Sequence, residues 1–272
     1  MLKYISEILT REGISLFAPV PLSACRILRP YLLERTGIAD GSAVILAVPY
    51  ASPPSPAQNV SSYAVARDYH LYFQLLFGRL LPLLRERFPQ HRFAAFSDHS
   101  PIDEVHAACI AGLGVMGDNG LLLTEPYSSY VFLGELITDA DLPAATVEPR
   151  KCHHCGACRR ACPVSLDKSR CISALTQKKG ELTEEETKIL SQHNTVWGCD
   201  ICQQACPFTA AAQRHGTLYD TPAFFREQWM PVLTEDTLDG MDEASFRERA
   251  YSWRGRAVIR RNLTLHTKKD GR

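Results

Sequence analysis

The sequence predicts an α+β protein: a mixed sheet flanked by helices, then a cysteine-rich domain and C-terminal helices. Three observations predict this order. Helical and strand patterns alternate over the first 140 residues, eight of the ten cysteines lie between Cys152 and Cys206, and residues 222–266 have helical spacing. A chain of 272 residues is long enough to bury a core without covalent cross-links.

The first part of the chain contains both element types. The apolar run GSAVILAVPY at 41–50 is bounded by Gly and Pro, which predicts a buried strand. An apolar stripe at helical spacing covers 61–88, and Pro101 with acidic residues behind it predicts a helix start within 100–113. The glycine-rich stretch 112–120 predicts a loop. The remaining predicted elements are a helix at 2–12 and strands at 92–97, 121–124 and 130–138.

Composition limits the class of protein. Hydrophobic residues make up 45% and charged residues 22%, as in ordinary globular proteins. The formal net charge is zero, which gives no indication of a nucleic-acid or acidic partner. Residues 1–15 lack the apolar core of a signal peptide, and no apolar run approaches the ~18 residues of a membrane span. We therefore expect a cytoplasmic protein, whose clustered cysteines bind metal or act in catalysis.

The segment CHHCGACRRACPVS contains four closely spaced cysteines. Cys152, Cys155, Cys158 and Cys162, with Pro163 directly after, match the bacterial ferredoxin run C-x2-C-x2-C-x3-C-P. In such a run the first three thiolates bind one 4Fe-4S cluster and the fourth binds the neighbouring cluster. The spacing therefore predicts a ferredoxin-like domain with two clusters.

A second group of cysteines, in GCDICQQACPF, lacks one thiol of this pattern, and Cys171 is the obvious supplier. A zinc ribbon is the alternative, but it uses pairs of cysteines and explains the triple spacing poorly. His153 and His154 are further possible ligands, although the cysteine count is already complete. The predicted ligand sets are Cys152, Cys155, Cys158 and Cys206 for one cluster, and Cys162, Cys171, Cys199 and Cys202 for the other.

The Pro- and Ala-rich stretch at 140–151 predicts a domain boundary before these cysteines. We expect a catalytic, cofactor-binding domain at 1–142, the double-cluster domain at 143–215 and a helical extension at 216–272. Two clusters this close form an electron-transfer module, and the first domain is expected to hold whatever the electrons reduce.

Several segments, in the same order, resemble the epoxyqueuosine reductases, a family of cobalamin- and iron–sulfur-dependent enzymes that complete a modified tRNA nucleoside. The resemblance extends from about residue 40 to the end and includes both cysteine groups. The other matching segments are YAVARDYH (63–70), FSDHSPIDE (96–104), AGLGVMGDNGLLL (111–123), VFLGELITD (131–139) and SWRGRAVIRRN (252–262).

The chain departs from the family's pattern in three respects. GDNG at 117–120 stands where the family usually has G-K-N-T, so Asp118 replaces a lysine associated with the cobalamin site. Members of the family usually continue into a C-terminal helical-repeat region that helps to hold tRNA, so we expect a shortened member. The spacing between Cys162 and Cys171 is also short.

The resemblance implies a two-electron reduction that removes an epoxide oxygen, with the clusters passing electrons singly to cobalamin. Asp98 lies at the family's proton-donor position, a role suited to a carboxyl whose pKa is raised by burial. The alternative role for Asp98 is a helix N-cap, which Ser100 could also provide. The predicted cofactor contacts are Arg67, Tyr69, His70, Asp98, Gly117, Asp118 and Asn119.

Ordinary structural roles are the alternatives for several of these residues. The polar patch 67–70 would otherwise form an internal salt bridge, and the 112–120 loop would be a plain turn. Glu104 would be a second polar group of the site or a helix-stabilising contact.

Two partners are expected. One is a low-potential electron donor of the ferredoxin or flavodoxin type. The other is tRNA, because residues 247–272 contain nine basic and two acidic side chains that either hold RNA phosphate or are simply solvated. A membrane partner is not expected. The alternatives to an epoxyqueuosine reductase are a related reductase of another small substrate and a non-catalytic electron carrier.

Overall fold

A computed structural model describes residues 1–267 of the chain. The strands are β1 (Phe17–Pro21), β2 (Ser42–Pro49), β3 (Phe93–Phe96), β4 (Val115–Met116), β5 (Leu122–Leu123) and β6 (Val131–Thr138). Four of them form a central sheet in the order β1-β2-β6-β3, and the two-stranded hairpin β4-β5 lies apart from it.

The predicted α+β fold is confirmed, but the sheet is antiparallel rather than mixed. β2 pairs with β1 and with β6 in antiparallel register, and β6 pairs with β3 in the same way. Seven of the eight residues of β2 are buried. A continuous apolar run of this kind fits a strand that is covered on both faces. The run does not show whether the neighbouring strands are parallel or antiparallel to it.

Helices cover both faces of the sheet, and its residues alternate between two cores. Val44, Leu46 and Val48 pack on the side of the helices at 2–11 and 69–87, whereas Ala43 and Ile45 pack on the opposite side. The helices are α1 (Leu2–Arg11), α2 (Pro30–Thr36), α3 (Ser62–Val65), α4 (Tyr69–Arg87), α5 (Glu104–Ile110), α6 (Ala157–Ala161), α7 (Ile172–Gln177), α8 (Glu184–Ser191), α9 (Ile201–Gln204), α10 (Pro207–Arg214), α11 (Glu235–Gly240), α12 (Glu243–Arg247) and α13 (Arg256–Thr267).

The helical stripe at 61–88 forms two helices instead of one, with a break between α3 and α4. Asp68 causes the restart, because its carboxylate caps α4 by accepting the backbone N–H of His70 at 2.9 Å. The restart puts Tyr69 and His70 in the first turn of α4. These two side chains therefore project from the end of a long buried helix.

Close packing of α4 on the sheet depends on Gly134. A Cβ atom at this position of β6 would lie 2.5 Å from Cε1 of Phe73, a residue of α4. The helix can approach the strand only because the side chain is missing.

The cysteine-bearing segment and the C-terminal part consist of short helices. A separate core forms around Trp197, which is fully buried with Tyr251 and Ile259. Ser61 donates its backbone N–H to the carbonyl of Trp197 at 2.7 Å, and this bond ties the first part of the chain to the segment that contains the second cysteine group. No helix within residues 1–267 combines the length and the apolar character that crossing a bilayer requires.

Candidate active site and cluster-binding cysteines

A cavity of about 950 Å³ lies between the sheet and the cysteine-bearing segment. Its volume is at the upper end of the range of small-molecule and cofactor sites. Aromatic and polar side chains of the first part of the chain face three cysteines across it. The lining includes Tyr50, Tyr63, Tyr69, His70, Asp98, Glu104, Phe132, Cys171, Cys199, Cys202 and Trp253.

Asp98 reaches this cavity from the loop that follows β3. Its φ angle is 62°, in the left-handed region that residues other than glycine adopt only at a cost of roughly 1–3 kcal/mol. Its backbone N–H donates to Oε1 of Glu104 at 3.3 Å. The strained turn and this hydrogen bond together direct Asp98 toward the first turn of α4.

His70 lies between two carboxylates. Its Nδ1 is 2.8 Å from Oδ1 of Asp68, and its Nε2 is 3.5 Å from Oδ2 of Asp98. The hydrogen bonds with Asp68 and Asp98 raise the pKa of His70 to about 9, because they stabilise the imidazolium more than partial burial weakens it. At neutral pH the proton therefore resides on His70.

The pKa of Asp98 moves in the direction opposite to the one expected. The hydrogen bond from His70 lowers it below its ordinary value, and burial opposes this effect without overcoming it. The side chain is 66% exposed to solvent, which explains why desolvation is the weaker influence. The proton-bearing unit is thus the Asp98–His70 pair rather than a protonated carboxyl alone.

The proposed helix-capping roles of Asp98 and Ser100 are wrong. Asp103 is the N-cap of α5, and its carboxylate accepts the backbone N–H of His106. The Ser100 hydroxyl instead donates to Oε1 of Glu135. The helix begins at Glu104, three residues after Pro101, so Pro101 is not in its first turn. Asp98 is therefore free of a capping role and faces the cavity.

Sequence reasoning did not identify Glu135 at all. This residue is fully buried in the middle of β6, in hydrogen-bonding contact with Ser100 and Glu104. Burial raises the pKa of Glu104 to about 7 and the pKa of Glu135 well above its ordinary range. The available signal was a single carboxylate inside the apolar strand pattern VFLGELIT.

The first predicted ligand set lines a second, smaller cavity of about 90 Å³. The loop between its first cysteines reverses direction through positive φ angles at His154 (51°) and Gly156 (71°), which brings the thiols to one side. The cavity wall also contains Gly117, Asp118, Phe208 and the four predicted ligands Cys152, Cys155, Cys158 and Cys206. Four convergent thiols suit an iron–sulfur cluster.

The second predicted set faces the large cavity with three of its four cysteines, Cys171, Cys199 and Cys202. The fourth, Cys162, is close enough to Cys202 for their charges to interact. Burial raises the pKa of Cys199 to about 12 and that of Cys202 to about 11. Such thiols become thiolates when a metal compensates the charge, so these residues fit a cluster, and the ligand assignment remains a prediction.

Asp200 fixes the loop that contains Cys199 and Cys202. Its buried carboxylate accepts the hydroxyl of Ser61 and the backbone N–H of Ser62, the latter at 2.7 Å. These bonds attach the second cysteine group to the start of α3. The position of the cysteines relative to the sheet is therefore set by buried, charge-assisted hydrogen bonds.

Comparison with known proteins agrees with this geometry. Residues 151–209 match the model of a 4Fe-4S double cluster binding domain. Epoxyqueuosine reductase of Gloeobacter violaceus is 33% identical over 228 residues, which cover 80% of this chain and 70% of that protein. This chain belongs to the epoxyqueuosine reductase family. The resemblance found in the sequence segments is confirmed, and so is the expectation of an iron–sulfur oxidoreductase.

Other epoxyqueuosine reductases extend well beyond the aligned region. The Listeria monocytogenes enzyme is 33% identical over 207 residues, which cover 73% of this chain but 54% of that protein. Across these two alignments the chain spans between about half and 70% of the length of its relatives.

Two solved epoxyqueuosine reductases share the fold. The structure from Streptococcus thermophilus has a TM-score of 0.74 at 22% identity and covers 97% of this chain and 80% of that one. A structure with a tRNA-Tyr epoxyqueuosine-modified tRNA stem loop has a TM-score of 0.75 at 25% identity, with coverage of 97% and 80%.

Four of the seven predicted cofactor contacts line the large cavity of this epoxyqueuosine reductase family member, namely Tyr69, His70, Asp98 and Asn119. Arg67 does not line it. Its guanidinium is 3.1 Å from Glu248 and 3.8 Å from Glu227, and it lies over the ring of Phe224. The salt-bridge alternative therefore describes Arg67 better than a cofactor contact does.

Gly117 and Asp118 lie at the smaller cavity, beside the first cysteine set. Oδ1 of Asp118 is 2.7 Å from Nδ1 of His154. One ligand atom each of Asp118, Cys152 and His154 lies within 4.8 Å of the others. Asp118 thus contacts the loop that contains Cys152 and Cys155, and it does not line the large cavity.

Most basic residues of the C-terminal segment have structural partners. Arg249 is buried and donates to the carbonyl of Gln228 at 2.7 Å, and Arg261 donates to the carbonyls of Lys178 and Gly180. These guanidinium groups hold the segment together. Arg247, Arg256 and Arg260 are likewise hydrogen-bonded within the segment 238–260. Lys268, Lys269 and Arg272 lie outside the described residues.

Proposed function

We propose that this chain reduces epoxyqueuosine in tRNA to the alkene, removing the epoxide oxygen as water with two electrons and two protons. The observation that carries this proposal is the large cavity, which places the Asp98–His70 pair across from Cys171, Cys199 and Cys202. A proton source and an electron source therefore face the same space. Membership of the epoxyqueuosine reductase family, and a similar fold solved with a modified tRNA stem loop, support the choice of substrate.

The large cavity is also our proposed site for cobalamin. Its walls offer the flat aromatic surfaces of Tyr69, Phe132 and Trp253, and Tyr69 and Phe132 stack with ring centroids 4.3 Å apart. A corrin ring suits such walls because its faces are apolar and broad. When bound, the cobalt centre would supply low-valent metal chemistry that a protein side chain cannot provide.

The chain's own residues manage the proton. The imidazolium of His70 holds it at Nε2, and the Asp98 carboxylate accepts the hydrogen bond. As negative charge develops on the epoxide oxygen, this pair would donate the proton to it. Asp68 then stabilises the ring from the Nδ1 side, as the third member of the array.

Electrons would enter at the opposite end of the cysteine segment. Cys155 is exposed, whereas Cys206 of the same predicted set is buried. The surrounding loop carries exposed Lys151, Arg159 and Arg160. A positive surface of this kind favours an acidic low-potential donor of the ferredoxin or flavodoxin type.

The test is reduction of a tRNA stem loop carrying epoxyqueuosine by anaerobically purified protein loaded with iron, sulfide and cobalamin. We expect about eight iron and eight sulfide ions per chain, a cobalamin spectrum that changes on binding, and conversion to queuosine. Cluster-loaded protein that does not bind cobalamin, or binds it without converting the stem loop, would contradict the proposal. An Asp98→Asn variant with normal cofactor content and full turnover would contradict the proton role alone.

A further inference from the structure

Glu135 is an ionisable group in one of the least polar positions of the molecule. It has no solvent exposure, and it lies in the middle of the sheet with Ile45 of β2 opposite it on one side and Phe96 of β3 on the other. Glu104 reaches it from α5 and also lines the large cavity. The two carboxyls thus connect the interior of the sheet to the site.

Their hydrogen bonding requires a shared proton. The Ser100 hydroxyl donates to Oε1 of Glu135, but within residues 1–267 no N–H or O–H group donates to Oε2. The other side chain in hydrogen-bonding contact is Glu104, which is itself a carboxyl. Two adjacent carboxylates, one fully buried and one partly buried, would repel each other, and Oε2 of Glu135 would have no donor among the described residues, so one of the two must be protonated.

The charges around the pair favour a proton on Glu135. Glu104 faces Asp98, whose charge opposes ionisation, and Arg29, whose charge favours it. Glu135 is more deeply buried, and it also lies near the Cys25 thiol, whose pKa burial raises to about 11. Glu135 is therefore the donor, and the Glu104 carboxylate is the acceptor.

Glu104 also holds the loop of Asp98. Its Oε1 accepts the backbone N–H of Asp98, in the turn where the φ angle is positive. Arg29 supports the same loop by donating to the carbonyl of Ser100 at 2.9 Å. The position of Asp98 relative to His70 therefore depends on Glu104.

We propose that Glu104 and Glu135 form a proton-sharing pair beneath the site, which positions the Asp98 loop and supplies the second proton consumed by the reaction. This inference rests on the proposed function. Removing an epoxide oxygen breaks two C–O bonds, forms a C=C bond and releases water, which consumes two electrons and two protons. The donor supplies the electrons, the Asp98–His70 pair supplies one proton, and the Glu104–Glu135 pair supplies the other.

The shared proton can be measured without substrate. We would record infrared difference spectra in H2O and D2O of cluster-loaded protein with isotope-labelled glutamate, from about pH 5 to about pH 9. At about pH 8 we expect a protonated carboxyl band that is absent from Glu135→Gln and unchanged in Glu125→Gln, an exposed control. A further band that titrates near pH 7 should be lost in Glu104→Gln. If the Glu135-dependent band were absent, the proposal that Glu104 and Glu135 share a proton would be wrong, whatever the turnover of the enzyme.

Two substitutions of Glu104 separate positioning from proton supply. Gln retains an acceptor for the Asp98 N–H, whereas Met has a similar length and no acceptor. In Glu104→Met, NMR titration should show the pKa of His70 falling from about 9 and remaining above 6.5, because Asp68 stays in contact. In Glu104→Gln it should remain near 9. Equal values in both variants would overturn the positioning role.

Turnover tests the supply of the second proton. Glu104→Gln should lower kcat about tenfold to a hundredfold at little change in KM, with loss of the pH dependence near 7. Full turnover with an unchanged pH profile would overturn proton supply. If the loaded wild-type protein shows the Glu135-dependent band but does not convert the stem loop, the proposed function is wrong. The proton-sharing pair of Glu104 and Glu135 would still be supported.

Discussion

The two sides of the large cavity differ in how their chemistry is built. On one side, Cys199 and Cys202 are three positions apart, a spacing typical of cluster ligands, and Cys171 lies 28 positions before Cys199 in the same cysteine-bearing segment. On the other side, Glu104 follows Asp98 by six positions, but His70, which pairs with Asp98, lies 28 positions before it on α4. The cysteine side thus depends largely on spacings within one segment, whereas the side of His70 and Asp98 depends on how the sheet and its helices pack. Single substitutions can test whether the two sides are disabled separately.

The largest effect is expected from removing Cys202, a predicted cluster ligand. Cys202→Ala should abolish turnover and lose roughly half of the bound iron, because a cluster missing one thiolate is not retained. The pKa of His70 should remain near 9, since its partners lie on the other side of the cavity. Iron analysis and NMR titration check this, and Cys109→Ala, at a buried cysteine outside both predicted sets, is the control.

The reciprocal substitution is at His70, on the side of the cavity formed by His70, Asp98 and Glu104, which we call the proton side. His70→Gln should retain all iron and lower kcat about a hundredfold, by loss of the general acid. His91→Gln is the matched control, because His91 also pairs with a carboxylate, Asp139 at 3.0 Å, outside the cavity lining. If His70→Gln lost its clusters, the two sides would not be independent.

The His70→Gln variant should also differ from the wild type in how its turnover depends on pH. The raised pKa of His70 means that the imidazolium persists through neutral pH and is lost as the pH rises through about 9. Wild-type turnover should therefore decline with rising pH near that value, and His70→Gln should lack this decline. A pH–rate profile of the loaded enzyme measures the difference.

The two sides of the cavity also differ in how much of each could be predicted from the sequence. The cysteine spacing identified the cluster segment because ligands within a tight loop are close whatever the rest of the fold does. Strands at 41–50 and 130–138 were recognisable because a buried strand requires an apolar run. The helix at 61–88 was predicted without its break, since the capping role of Asp68 competes with a continuous apolar pattern.

The proton side was less predictable because its properties arise from tertiary contacts. The pKa of Asp98 is lowered by His70, which is 28 positions away in the chain, and nothing local indicates that contact. Arg67 was placed at the site by proximity to His70 in sequence, but the break before α4 turns it toward Glu248. The raised pKa of Glu135 depends in part on Glu104, which lies on α5 and not on the strand of Glu135.

A smaller effect is expected at the proposed electron entry surface. Charge reversal at Lys151 and Arg159 together should weaken the reaction with an acidic donor about tenfold, mainly in KM for the donor and most strongly at low salt. Turnover with a small chemical reductant should not change, because the clusters and the cavity remain. Lys3→Glu, exposed on α1, is the control. Equal loss with both reductants would indicate damage to the cluster loop instead of the docking surface.

The smallest effect concerns how firmly the proton side is packed. Gly134→Ala should lower the free energy of unfolding by about 1–3 kcal/mol, because the added Cβ would lie 2.5 Å from Phe73 and push α4 away from β6. The first turn of α4 contains Tyr69 and His70, so the NMR-measured pKa of His70 should fall in parallel while the iron content is retained.

Gly78→Ala is the matched control on the same helix. A Cβ there has no heavy atom within 4 Å, so this substitution should stabilise the protein by roughly 0.5–1 kcal/mol through the lower entropy of the unfolded chain. Denaturant unfolding of the two variants should therefore give changes of opposite sign. If Gly134→Ala were as harmless as Gly78→Ala, close contact between α4 and the sheet would not be what holds His70 against Asp98.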